Sequence, residues 1–286
     1  MIIVKITGGL GNQLFQYALG RAQSLKLNCD LVLDISFYSR QTLRKYELDR
    51  FNIKARLATK AELEKSGAGT HFIARIIRKL GLTSVFYPKY IKELESIRYV
   101  SKIDECTSGS YLEGYWQNPQ YFEEYKKVLC EDFEPVESIS ATAIRWLEKI
   151  KNSESVSLHV RRGDYVENAH TNSVHGVCSL EYYRKAIAHV QQTIETPAFY
   201  IFSDDIHWCK DNFGFINNAN FVDDTNTAID DLILMKNCKA NIIANSTFSW
   251  WAAWLSNTEI TIYPKAWFND APRNLVSLFP VGWKSF

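Results

Sequence analysis

An apolar, β-branched run opens the chain and gives way to a helical repeat. Residues 1–7 read as a buried strand, Gly8, Gly9 and Gly11 punctuate the loop after it, and Leu14, Phe15, Ala18, Leu19, Ala22 and Leu25 recur at the spacing of one helix face. A second strand is predicted at 30–33. From residue 155 the alternation is regular. Strands at 155–160, 198–202, 220–222, 241–244 and 259–263 are separated by helical stretches, the clearest carrying Leu180, Tyr183, Ile187, Val190 and Ile194. Such β-α repetition predicts a parallel sheet with helices on both faces. The pattern divides into two α/β domains, residues 1–150 and 151–286. The stretch from about 41 to 106 keeps neither period. Inside it, residues 72–80 form a short amphipathic basic segment. It either rests on an acidic bilayer surface or covers a core and leaves a solvated basic face.

Open α/β sheets bind ligands at the carboxyl ends of their strands, so the residues after each strand matter most. Arg161, Arg162, Gly163 and Asp164 follow the strand at 155–160. Ser203, Asp204 and Asp205 follow that at 198–202, and Asn245, Ser246 and Thr247 follow 241–244 and open a helix. Three polar clusters thus meet at one sheet edge, as a nucleotide-diphosphate site requires. Arg161 and Arg162 are guanidinium forks suited to a diphosphate. A helix start offers N–H groups and partial positive charge to an anion. Asp204, Asp205 and Asp231 carry the wrong charge for phosphate but accept hydrogen bonds from a guanine edge or a ribose. Taken singly, each cluster is equally an ion pair or a helix cap; their joint placement points to a ligand. No Asp-x-Asp or H-E-x-x-H occurs, so no metal is expected, and leaving-group charge falls to arginine and backbone amides.

The glycine loop adds a rival reading. Gly9-x-Gly11 needs a glycine at position 14 to complete a dinucleotide fingerprint, and Leu14 stands there, although Asp34 occupies the place of a ribose-binding acid. A nicotinamide dehydrogenase is that alternative. Asn12 and Gln13 instead offer amides to a sugar hydroxyl or a sugar nucleotide. The net charge of +1 excludes a nucleic-acid binder that works by bulk charge. Eight Trp, 15 Tyr and 16 Phe exceed what a small core needs, which makes Tyr115 and Trp116 candidates for stacking an acceptor sugar. The six cysteines form no C-x-x-C pair and read as reduced thiols. Met1 to Val4 meets Lys5 at once, too short for a signal-peptide core, and no run reaches the length of a membrane span. A soluble cytoplasmic enzyme is expected.

The segment G-G-L-G-N-Q-L-F-Q-Y-A (8–18) resembles the start of glycosyltransferase family eleven, the bacterial-type α-1,2-fucosyltransferases. H-V-R-R-G-D-Y (159–165) is similar to the arginine motif shared with α-1,6- and protein O-fucosyltransferases. Y-I-F-S-D-D (200–205), N-S-T-F-S-W-W-A-A-W-L (245–255) and G-Y-W-Q-N-P-Q-Y-F (114–122) resemble further blocks of that family. The resemblance implies a GT-B fold: two Rossmann-like α/β halves facing a central cleft, with the donor in the second half and the acceptor mostly in the first. It also implies GDP-β-L-fucose as donor, inversion at the anomeric carbon, no obligatory metal or cofactor, and a galactoside-terminated oligosaccharide acceptor such as an O-antigen precursor, met at the inner face of the cytoplasmic membrane.

By the same resemblance, Arg161 is the essential arginine on the diphosphate, with His159, Arg162 and Asp164 around it. Ser246, Thr247 and Phe248, after Asn245, carry phosphate-binding amides and a ring near the guanine. Asp205 and Asp231 contact the guanosine, and Asn12 sits at the reacting centre beside Gly9 and Gly11. Gln13, Tyr115 and Trp116 are the acceptor candidates. Asp164 is the first candidate for a base, with Glu113 and Asp34 behind it, and related fucosyltransferases can use the donor phosphate instead. A different linkage or acceptor, or a silent GDP-sugar-binding protein, is the alternative.

Overall fold

The computed structural model describes residues 1–286 except 41, 70, 95–96, 164–172, 174–175, 226, 257 and 270–276, with the backbone alone at 40 and 84. The chain forms two compact units, Met1–Val136 with Leu275–Phe279 and Glu137–Asn274 with Pro280–Phe286.

In the first unit the strands are β1 (Ile2–Lys5), β2 (Leu31–Asp34), β3 (Arg56–Leu57), β4 (Tyr90–Lys92) and β5 (Tyr111–Glu113). All pair in parallel, in the order β3-β2-β1-β5-β4. The helices are α1 (Leu10–Lys26), α2 (Lys60–Lys65), α3 (Phe72–Lys79), α4 (Thr83–Phe86) and α5 (Lys126–Asp132). Strands β3 and β4 lie in the stretch that keeps neither period, because two or three residues are too few to display one. Helix α1 packs tightly on the sheet at Gly20, where a Cβ would stand 2.5 Å from Val4 Cγ2 and 2.8 Å from Leu31 Cδ1. The other face of the sheet buries Ile3, Val32, Tyr90 and Tyr111.

The second unit holds β6 (Ser155–Val160), β7 (Ala198–Ser203), β8 (Ala219–Phe221), β9 (Ala240–Ile242), β10 (Ile260–Tyr263) and β11 (Lys284–Ser285), again all parallel, in the order β11-β10-β9-β6-β7-β8. Its helices are α6 (Ala141–Lys151), α7 (Leu180–Thr193), α8 (Ile206–Asn212), α9 (Ala228–Lys236) and α10 (Thr247–Leu255). Alternation along β6 sends Val156, Leu158 and Val160 into a core with Tyr183, Ile187 and Val190 of α7. Ser157 and His159 turn to the opposite face, where Trp146 of α6 meets the Tyr200 ring and Phe248 of α10 meets His159. The division of the chain falls after Val136, not at 150. Helix α6 packs on α9, and the Ser140 N–H at its start donates to Asp230 Oδ1 at 3.1 Å, so this helix belongs to the second unit.

Both sheets are therefore Rossmann-like, the two halves of a GT-B fold. In each, the chain adds strands on one side of its first strand and then crosses to the other. The crossing leaves a switch point between β1 and β5 in one unit and between β6 and β9 in the other. Ligand sites of open parallel sheets form at such points. Among the described residues no helix is long and apolar enough to cross a membrane.

The close approach at Gly20 makes a stability prediction. In Gly20→Ala the helix gains up to about 1 kcal/mol of propensity, but the extra methyl overpacks against Val4 and Leu31, at about 1–3 kcal/mol. A net loss of about 1 kcal/mol in urea unfolding is expected; a variant more stable than the parent would show that the contact relaxes freely.

Candidate functional site

The strand ends of the second unit are level with one another. Val160 pairs with Ser203 of β7, and the pairing of Leu158 with Ile242 of β9 brings Ala244 alongside the end of β6. Residues 161–162, 204–205 and 245–247 therefore leave the sheet at one edge, with the first and last groups on either side of the β6/β9 switch.

The Asp204 carboxylate holds the two arginines. Its Oδ2 lies 3.0 Å from Arg161 Nη1, and its Oδ1 accepts the Arg162 backbone N–H at 2.8 Å. Arg162 is fixed twice more: its Nε lies 3.4 Å from Asp205 Oδ2, and its guanidinium sits 4.0 Å over the Trp208 ring. Asp205 also caps α8, accepting the Trp208 N–H at 3.1 Å. Its carboxylate thus orients both Arg162 and α8. Among the described residues the two Nη groups of Arg162 have no partner. Both guanidinium groups are part-exposed and oriented by acids.

His159 lies behind them, buried, with its ring 5.8 Å from that of Phe248. Burial, reinforced by the positive charge of Arg161, pushes its pKa down to about 4. The imidazole is neutral at pH 7, and its Nδ1 has no partner among the described residues. It can exchange a hydrogen bond with a bound group but adds no positive charge.

Across the switch, Ser246 caps α10, its Oγ accepting the Phe248 N–H at 3.3 Å. Helix geometry leaves first-turn amides beyond that without intrahelical acceptors, which suits an anion. Asn245 does something different from what the sequence suggests. It is buried, its Nδ2 donates to the Gly176 and Trp267 carbonyls at 3.2 and 3.4 Å, and its Oδ1 accepts from Cys178 Sγ at 3.3 Å. Its amide braces the loops and is not available to a donor. Asp231 lies in the first turn of α9 and accepts from Thr225 Oγ1 at 2.7 Å. Asp164 falls outside the described residues.

The first unit carries the remaining candidates. Gly9 is the N-cap of α1, and Gly11 is buried within that helix. Asn12 Oδ1 accepts from Gln117 Nε2 at 3.0 Å, joining the loops after β1 and β5 across their switch point, while its Nδ2 has no partner among the described residues. Two acceptor candidates prove structural. Gln13 is fully buried, donates to the Gly8 and Lys45 carbonyls and accepts the Glu47 N–H. Trp116 is also fully buried, with its ring edge-on to Tyr121. It cannot stack a sugar; its exposed neighbour Tyr115 can.

Two of the candidate bases are occupied. Asp34 is buried, accepting from the Tyr111 hydroxyl at 2.6 Å and the Ser36 N–H at 2.9 Å, so it offers no ribose contact either. Glu113 pairs with Lys5 Nζ at 2.8 Å and accepts from the Tyr90 hydroxyl. Burial alone would raise its pKa, but these partners hold it below the usual carboxylate range.

Glycosyl transferase family 11 matches residues 1–285 of the chain. The chain belongs to that family. This glycosyltransferase is 38% identical to an alpha-1,2-colitosyltransferase of Escherichia coli over 99% of its own length and 98% of the relative's. It is 33% identical to the O-antigen biosynthesis glycosyltransferase WbnK of Escherichia coli, over 92% and 93%. Its fold is similar to that of the fucosyltransferase NodZ from Bradyrhizobium, with a TM-score of 0.55 at 12% identity, covering 89% of this chain and 93% of that one.

Sequence reasoning missed Glu93 and Gln16 in this enzyme. Trp116 has φ +57°, a left-handed backbone that costs a bulky residue about 1–3 kcal/mol. The Glu93 carboxylate offsets this by accepting the N–H groups of Tyr115 at 2.6 Å and Trp116 at 3.0 Å. A Cβ on Gly114 would come 2.4 Å from that of Glu93, so glycine is required there. Gln16 donates to Thr7 Oγ1 and the Gly114 carbonyl and accepts the Thr7 N–H, closing the same switch point from below. Gln16 lies inside the opening family segment, but an amide in an apolar helix gives no hint of its partner. Glu93 gives no signal at all.

The site carries a pH prediction. Burial pushes the Asp231 carboxyl up to about 6, against the hydrogen bond from Thr225 and with help from the charge of Asp230. The folded enzyme then keeps a proton that the unfolded chain releases near pH 4. Stability falls as pH rises from about 4 to about 6 and levels off above. The stability of the parent minus that of Asp231→Asn, from urea melts, should decline across this window and stay flat to pH 8. A difference that is constant throughout returns Asp231 to an ordinary carboxylate.

Proposed function

We propose that this glycosyltransferase is an inverting α-1,2-fucosyltransferase, moving L-fucose from GDP-β-L-fucose to O2 of a terminal β-galactose on an O-antigen-type precursor. In this reading it needs no metal or cofactor. The observation that carries the reading is the Asp204-held pair Arg161 and Arg162 beside the α10 N-terminus, at the switch point of a family 11 chain. Further support comes from two neighbours: NodZ, whose fold this chain shares, has a structure soaked with GDP-fucose, and the colitosyltransferase relative carries an α-1,2 designation. A precursor of this kind is lipid-linked, which puts the work at the inner face of the cytoplasmic membrane.

Inversion needs one displacement. The acceptor oxygen bonds to C1 while the C1–O bond to phosphate breaks on the opposite face, and GDP leaves with the electron pair. The transition state resembles an oxocarbenium ion, so stabilising the departing diphosphate is the main contribution. Arg161 supplies most of it, with Arg162 and the α10 amides alongside. The neutral His159 donates or accepts at the donor, and Thr247 and Phe248 line it. The acceptor proton goes to Asp164 or to the donor phosphate.

The 38% identity to a colitosyltransferase favours a second reading, transfer of colitose. Colitose is L-fucose without its 3-hydroxyl, so one group separates the two donors.

The test supplies GDP-fucose or GDP-colitose with a panel of β-galactosides, in EDTA, and assigns the product linkage by NMR. GDP release with an α-1,2-fucosyl product is expected, and Arg161→Ala, still folded, should lose about 10²–10³ in rate. Turnover with GDP-colitose alone selects the second reading. Binding of GDP without turnover on any acceptor makes the chain a silent binder, and loss of turnover in EDTA removes metal independence.

A further inference from the structure

The first unit has a surface that the transfer reaction does not use. Helix α3 was expected either to cover a core or to meet a bilayer, and it covers little. Only Ala74 and Ile77 of this helix are buried. Arg78, the third tie to the unit, turns back to donate to the carbonyls of Gly67 and Gly69. Phe72, Ile73 and Leu80 stand in solvent, joined by Val85 and Phe86 of α4, with Phe72 76% and Val85 70% exposed. Of the 17 exposed large apolar side chains among the described residues, seven fall between 72 and 86. Single exposed apolar residues are ordinary, but a cluster of this kind marks a contact surface.

Charge indicates what makes the contact. Between residues 65 and 92 the chain has Lys65, Arg75, Arg78, Lys79, Lys89 and Lys92 and no Asp or Glu, although its net charge is only +1. On α3, exposed Arg75 and Lys79 flank the exposed apolar stripe on one side. Apolar side chains rimmed by cations and free of acids match the boundary between headgroups and acyl chains of an anionic bilayer. A protein partner with an apolar groove would not call for the exclusion of acids over so long a run.

We propose that the α3–α4 segment docks on a membrane surface bearing anionic lipid headgroups. Phe72, Ile73, Leu80, Val85 and Phe86 enter the boundary, and Arg75 and Lys79 meet the headgroups. The surface suits the lipid-linked acceptor of the proposed reaction but is read without turnover, so either idea can fail alone.

Flotation of the full chain with vesicles of phosphatidylglycerol and phosphatidylcholine in equal parts, against pure phosphatidylcholine, tests it. Binding to the mixed vesicles, weakened by added salt, is expected. Each cation near an anionic surface strengthens partitioning about fivefold, so Arg75→Glu with Lys79→Glu should weaken it at least about 25-fold. Phe72→Asp with Phe86→Asp should abolish it, while circular dichroism stays at the parental value. Failure of the parent to bind mixed vesicles at low salt overturns the proposal, as does equal binding to both compositions. So does a dimer, seen by light scattering, that Phe72→Asp dissociates while vesicle binding is absent, since the patch then covers a second copy.

Discussion

Two guanidinium groups on consecutive residues repel each other, and a site built on them needs something to hold both in place. Asp204 does this from the neighbouring strand end, one oxygen on the Arg161 side chain and the other on the Arg162 backbone. The ion pair is part-exposed, and such pairs contribute little to stability. Its effect is on geometry: the loop after β6 is tied to the loop after β7, so the arginines are held at the strand ends instead of sweeping through solvent. Asp205 and Trp208 do the same for Arg162 from α8. Everything proposed about the donor depends on this arrangement, because a diphosphate is recognised by donors at fixed angles.

The first unit solves the equivalent problem with amides and one acid. Gln16, Gln13 and Gln117 tie the loops after β1 and β5 to each other and to the segment at 45–47. Glu93 keeps the left-handed turn at Trp116, which leaves Tyr115 in solvent. The Asn12 Nδ2 has no partner among the described residues.

Much of this was legible in the sequence. Five of the six strands of the second unit read clearly because their runs are bounded by polar residues, several of which form the candidate site; β11, two exposed residues long, gives no such signal. What each polar residue does was less legible, because the partner lies far along the chain. Asp204 and Arg162 are 42 residues apart, Gln13 and Lys45 are 32 apart, and Asn245 and Gly176 are 69 apart. An Asn before a helix cap and a Gln after a glycine loop both look like ligand contacts until the loops they brace are seen. Trp116 misled for another reason: an aromatic beside an exposed tyrosine suggests a stacking platform, but the φ of +57° turns its ring inward. Helix α6 has a helical pattern compatible with either half, and only its packing on α9 assigns it to the second unit.

The most direct measurement is a crystal structure of this enzyme grown with GDP. The account predicts the pyrophosphate at the β6/β9 switch, within hydrogen-bonding distance of the Arg161 guanidinium and the first-turn amides of α10, with Asp204 still holding both arginines. A nucleotide bound away from that edge, with Arg161 turned from it, would contradict the account.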